Sequence, residues 1–144
     1  MSLPRIIGIT GFARHGKDTI AGVLSRELGY NRVALADSMK EAMLRLNPIV
    51  RTFAFPKHAE RLATKVALQG WEEAKKDPEV RQLLQRFGTE VGRQLLGEDV
   101  WITALVNNTP GFYGTDRKIV IPDIRFPNEA AWIHRMQDAE LWKV

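Results

Sequence analysis

The sequence predicts a three-layer α/β fold with a mostly parallel sheet and a helical insert. Two short, strongly apolar runs, Arg5–Thr10 and Lys118–Ile121, read as buried strands. Stretches with helical periodicity alternate with them, which is the pattern of a parallel sheet covered by helices. With 144 residues, 44% of them hydrophobic, the chain is sized for one domain with a moderate core.

Each element follows from local signals. Ile6, Ile7 and Ile9, bounded by glycines, form the first strand, and Gly11–Gly16 a glycine-bearing loop. Lys17–Leu28 is a helix with Ile20, Leu24 and Leu28 on one face, closed by Gly29. Arg32–Ala36 reads as a second short strand, and Asp37 or Ser38 as the cap of a helix that Pro48 stops. Lys57–Lys76 reads as helical and charged. Asp77-Pro78 opens a further helix, in which Val80, Leu84, Phe87, Val91 and Leu95 make an apolar stripe. Glu98 to about Asn107 is helical, and Pro110, Gly111 and Gly114 mark a loop. Pro127–Met136 is the last helix and Glu140–Val144 the last strand. The helical stretch of about 39–106 has the character of a substrate-binding insert in a single domain spanning 1–144.

Composition narrows the function classes. No apolar run is long enough to span a bilayer, and the start lacks the features of a leader, so no membrane association is expected. The absence of cysteine removes disulfides and thiolate metal sites and fits a cytoplasmic setting. The net charge of +4 is mild and spread along the chain, which suits small anionic substrates. A pI near 9.6 admits nucleic acid, but no basic cluster interleaved with aromatics supports it.

The sharpest feature is Gly11-Phe12-Ala13-Arg14-His15-Gly16-Lys17-Asp18-Thr19. Its GxxxxGK spacing lies between a buried strand and an amphipathic helix, the context of a P-loop. Backbone N–H groups of such a loop and of the helix start cradle phosphate oxygens, and Lys17 reaches the β- and γ-phosphates. Gly11, Ala13, Arg14, His15, Gly16, Lys17, Asp18 and Thr19 are therefore the candidate ATP-binding residues, within a P-loop NTPase architecture. Asp18 stands where the usual motif has Ser or Thr. It and Thr19 are candidate Mg²⁺ residues, or Asp18 only complements the helix dipole. His58 and His134 show no metal-ligand spacing.

Gly16-Lys17-Asp18-Thr19 resembles the GKDT loop of phage-type deoxynucleoside monophosphate kinases, relatives of the adenylate-kinase-like group. Three further segments are similar to that family in the same order: Leu35-Ala36-Asp37-Ser38-Met39-Lys40, Arg81 to Arg93 followed by Glu98-Asp99-Val100-Trp101, and Asp123-Ile124-Arg125-Phe126-Pro127-Asn128-Glu129-Ala130. The resemblance implies an ATP- and Mg²⁺-dependent kinase that converts a (deoxy)nucleoside monophosphate to the diphosphate, in a host cytoplasm if phage-encoded. It also implies a continuation past Val144, carrying part of a lid and a closing strand, that this sequence lacks.

The remaining site residues follow from both readings. Arg81, Gln85, Thr89 and Arg93 recur at i+4 steps on one helix face, offering guanidiniums for a phosphate and an amide for a base edge, with Gly88 and Gly92 leaving space. The alternative is a solvated outer face. Asp37 and Lys40 are acceptor-side candidates, with a plain cap as the alternative for Asp37. Trp101 is a base-stacking or core residue. Asp123, at the end of a buried strand, and Arg125 are candidate catalytic residues, Asp123 also through the Mg²⁺ water shell; a loop ion pair is the alternative. Rival functions are a P-loop kinase of another small molecule, of dephospho-coenzyme A or shikimate type, and a nucleic-acid-linked ATPase. A homodimer through the insert is compatible with the sequence.

Overall fold

A computed structural model describes residues 2–52, 58–114 and 116–144. The chain divides into two compact units, Met1–Asp37 with Asp99–Val144, and Ser38–Glu98.

The first unit is α/β. Strands β1 (Ile6–Thr10), β2 (Asn31–Arg32), β5 (Ile119–Ile124) and β6 (Ala139–Lys143) form one sheet in the order β2-β5-β1-β6, every pairing parallel. Side chains alternate across the sheet. Ile6, Ile119 and Ile121 therefore meet Ile102 and Leu105 of α5 (Val100–Asn107) and Trp132 and Ile133 of α6 (Pro127–Arg135) on one face. Ile7, Ile9 and Val120 meet Ala21 and Leu24 of α1 (Lys17–Leu28) and Tyr30 on the other. Both faces of β1 and β5 are covered, which is why these strands read as continuous apolar runs.

Several elements differ from the sequence expectation. The second strand is only Asn31–Arg32, because α2 (Leu35–Leu46) already starts at Leu35. Neither Asp37 nor Ser38 is its cap; both lie inside the first turn. In α1, Ala21 and Leu24 are the buried residues, whereas Leu28 at the exposed last turn is 44% accessible.

The second unit takes the rest of α2 and adds a hairpin. Strands β3 (Ile49–Thr52) and β4 (His58–Arg61) pair antiparallel, from Ile49↔Arg61 to Thr52↔His58. The sequence reading extended one helix over this strand; its expected start at Lys57 lies outside the described residues. Helix α3 (Leu62–Ala74) instead begins after β4 and breaks at Gly70, whose φ of 78° suits glycine alone. Helix α4 (Pro78–Gln85) follows, with Asp77 Oδ1 accepting the Glu79 N–H at 2.9 Å as its cap.

The chain then continues as a π-helical segment, Arg86–Leu96. Bonds such as Gly97 N–H to Gly92 O (3.0 Å) span five residues, so each turn holds more residues than in an α-helix. The expected apolar stripe is thereby interrupted. Leu83, Leu84 and Phe87 pack on the core of Met43, Val50, Leu62 and Val80, but Leu95 is 75% accessible.

Lys65 is buried in this unit. Its ammonium lies 3.5 Å from Glu60 Oε1 on β4 and 3.5 Å from Asp77 Oδ2 at the start of α4. Removing the cation takes a partner from two largely buried carboxylates. Lys65→Ala is expected to cost about 3 kcal/mol in urea-induced unfolding. An unchanged midpoint would show that the triad carries no net stability.

Candidate active site

Strand β1 delivers the glycine loop to the C-terminal end of the sheet. The chain leaves the strand at Thr10, turns through a His15 N–H to Phe12 O bond of 3.3 Å, and enters α1 at Lys17. Arg14 (φ 66°) and Gly16 (φ 91°) both adopt left-handed backbone, the second of which only glycine takes without strain. Gly16 is also the N-cap, and a glycine brings no side-chain oxygen to the helix start. The backbone N–H groups of Ala13, Arg14, Gly16, Lys17, Asp18 and Thr19 meet no acceptor among the described residues. The Lys17 ammonium donates to the Gly11 carbonyl, so it lies folded over its own loop. The Asp18 carboxylate is largely exposed and 3.7 Å from Arg32 Nη2 on β2. Thr19 is exposed, and His15 contacts the Phe12 ring edge-to-face at 5.6 Å.

The neighbouring helix starts are treated differently. The register of β1 against β5 moves from Gly8↔Ile121 to Thr10↔Ile124, so β5 carries one extra residue around Pro122-Asp123. Pro122 has no N–H to give the ladder, and such an irregularity re-aims the side chain beside it. Asp123 Oδ1 accepts the Leu35 N–H at 2.8 Å and Oδ2 the Ala36 N–H at 3.0 Å. Asp123 thus closes the start of α2 from another element, a role the sequence did not reveal. Asp37 Oδ2 accepts the Ala34 N–H at 3.0 Å. At α6, the buried Glu129 reaches back with Oε2 to the N–H groups of Arg125 (2.7 Å) and Phe126 (3.0 Å). Asn128 Nδ2 donates to Asp99 Oδ1 at 2.9 Å, tying that helix to the start of α5. The Arg125 side chain is exposed. Trp101, on α5, is half-buried.

Among the candidates of the second unit, the structure brings Gln85 and Thr89 together, with Gln85 Nε2 3.4 Å from Thr89 Oγ1. Arg93 donates to the Glu98 carbonyl at 3.1 Å, and Arg81 is exposed. A Cβ on Gly88 would come within 2.6 Å of Met39 Sδ, so the space beside that glycine is filled by Met39. Lys40 lies over the Trp71 ring at 5.8 Å. Among the described residues no cluster of three or more His, Cys, Asp or Glu could hold a metal ion, and no helix is long and apolar enough to cross a membrane.

Comparison of the chain with protein-family models and with curated proteins finds no match. The α1 start combines amides without an acceptor among the described residues, a positive helix end and the Lys17 cation, an arrangement suited to a polyanion.

Asp123 has a further signature. Burial pushes its carboxyl above its ordinary value near 3.8, with a smaller rise from Asp37, against the opposing pull of the Leu35 and Ala36 amides and Arg125. A raised folded value favours the protonated native state. The stability Asp123 contributes is therefore largest below its ordinary value and is lost as pH climbs through the folded one. In urea melts, the stability of wild type minus that of Asp123→Asn is expected to fall as the pH rises above the ordinary carboxyl value. A difference that stays level or grows with pH would contradict this.

Proposed function

We propose that the chain is an ATP-dependent kinase that phosphorylates a (deoxy)nucleoside monophosphate. One observation carries the reading. The strand-loop-helix unit with GxxxxGK spacing ends in six backbone N–H groups without a described protein acceptor, next to the side chain of Lys17. The acceptor class comes from the family resemblance of four segments in order.

The residues present fit a nucleoside triphosphate. Gly16 opens the helix without blocking its amides, and Ala13, Arg14 and Lys17–Thr19 supply donors to phosphate oxygens. Lys17 moves from the Gly11 carbonyl to the phosphate chain, exchanging a neutral partner for an anionic one. Mg²⁺, when bound, neutralises charge on the β- and γ-oxygens. With no carboxylate cluster among the described residues, the chain would hold it through the nucleotide, with Asp18, Thr19 or the outer sphere of Asp123 on the protein side. Arg125 is the exposed cation at the end of β5 suited to charge developing on the transferred group. The acceptor phosphate is already ionised at neutral pH, so in-line attack needs positioning and charge neutralisation more than a strong base. In the second unit, Arg81, Gln85, Thr89 and Arg93 offer the groups a nucleotide acceptor needs. A cytoplasmic setting goes with this reading.

The test is a panel of deoxynucleoside and ribonucleoside monophosphates with MgATP, following ADP release and diphosphate product together. Acceptor-dependent turnover is expected with at least one. Lys17→Ala should lose at least about 100-fold in turnover with an unchanged far-ultraviolet circular dichroism spectrum. No turnover with any nucleotide moves the reading to another small acceptor. DNA-stimulated ATP hydrolysis without transfer moves it to a nucleic-acid-linked ATPase.

A further inference from the structure

Among the described residues Glu129 is one of three buried polar residues outside the apolar cores, and nothing in the phosphate chemistry above uses it. A carboxylate costs free energy to bury unless hydrogen bonds repay it, so its partners show what it is for. They include two consecutive backbone N–H groups, of Arg125 at 2.7 Å and Phe126 at 3.0 Å, both on the same oxygen. They belong to the turn that leaves β5 just after Asp123. That aspartate is itself fastened to α2. Asn128, next to Glu129, is fastened to Asp99.

The turn is thus held at both ends and in the middle by side-chain oxygens, while the guanidinium of Arg125 is left out of the network. Among the described residues it makes no hydrogen bond or ion pair and feels only a longer-range attraction to Asp123. A fixed main chain carrying a free cation is the arrangement that presents charge to an anion with little reorganisation.

We propose that Glu129 is a positioning residue, whose buried carboxylate clamps the Arg125 main chain so that the guanidinium is presented to a phosphate group at the end of the sheet. The clamp stands on the geometry alone; the phosphate it serves rests on the kinase reading.

Two measurements test it separately. Amide hydrogen exchange by NMR reads the clamp. In Glu129→Ala the protection of the Arg125 and Phe126 amides should drop at least about tenfold more than that of Ile119–Ile121. Glu129→Gln, which keeps a carbonyl oxygen as acceptor, should restore it to within about threefold. Equal loss at the core amides, or none at the turn, overturns the clamp.

A double-mutant cycle on kcat/KM for the acceptor reads the purpose. Glu129→Ala should lose at least about tenfold in the wild-type background and under about twofold in Arg125→Ala, because its effect passes through that arginine. Independent, multiplying losses overturn the positioning role. Absence of turnover in the wild-type protein defeats the kinase reading and the phosphate assignment with it, and the exchange data still decide the clamp.

Discussion

The constraint on which the structure turns is the set of orphan N–H groups at helix starts along one end of a parallel sheet. Every α-helix begins with donors that lack an intrahelical partner. Here α1, α2 and α6 all begin at the C-terminal ends of strands or just beyond them. For α2, Asp123 and Asp37 supply the oxygens; for α6, Glu129 does. For α1 none comes from the described residues, and the residue at the cap is a glycine. Two helix starts are closed from within, and the third is open among the described residues.

The sheet makes this contrast persist. Strands β1 and β5 are adjacent and buried on both faces, with Ile6, Ile7, Ile9, Ile119, Val120 and Ile121 fully enclosed. Their ends are held rigidly, so the loop after β1 and the turn after β5 leave from fixed neighbouring points. The extra residue at Pro122-Asp123 is the local departure that turns a carboxylate toward α2. Charge at this end of the sheet is divided. Asp123 and Glu129 have carboxylate oxygens committed to amides, while Lys17 has only a loop carbonyl and Arg125 nothing within bonding distance among the described residues.

The parallel α/β layout was legible in the apolar runs of β1 and β5, because burial on both faces removes the alternation of polar residues. The α1 boundaries and the glycine loop were legible from Gly11, Gly16 and Gly29. The β3–β4 hairpin was not, since Ile49–Thr52 and His58–Arg61 are short and His58–Arg61 is polar throughout except for Ala59. Nor was the π-helical segment, because the wider hydrogen-bond span leaves no compositional mark in a run that holds two Arg, two Leu and two Gly. The links from Asp123 to Leu35 and Ala36 join residues nearly ninety positions apart, so no local pattern encodes them. Glu129 sits where a capping-box glutamate belongs, but Phe126 at the cap position hides the usual signature.

The most direct test of the central claim is an NMR titration of the isotopically labelled protein with Mg-ADP, reading each backbone amide. Phosphate held by the orphan donors of α1 predicts the largest shifts at Gly11–Thr19, with Leu35, Ala36, Arg125 and Phe126, whose N–H groups already have protein partners, moving less. Unmoved loop amides under conditions where ADP binds elsewhere, or no binding at all, would contradict the account.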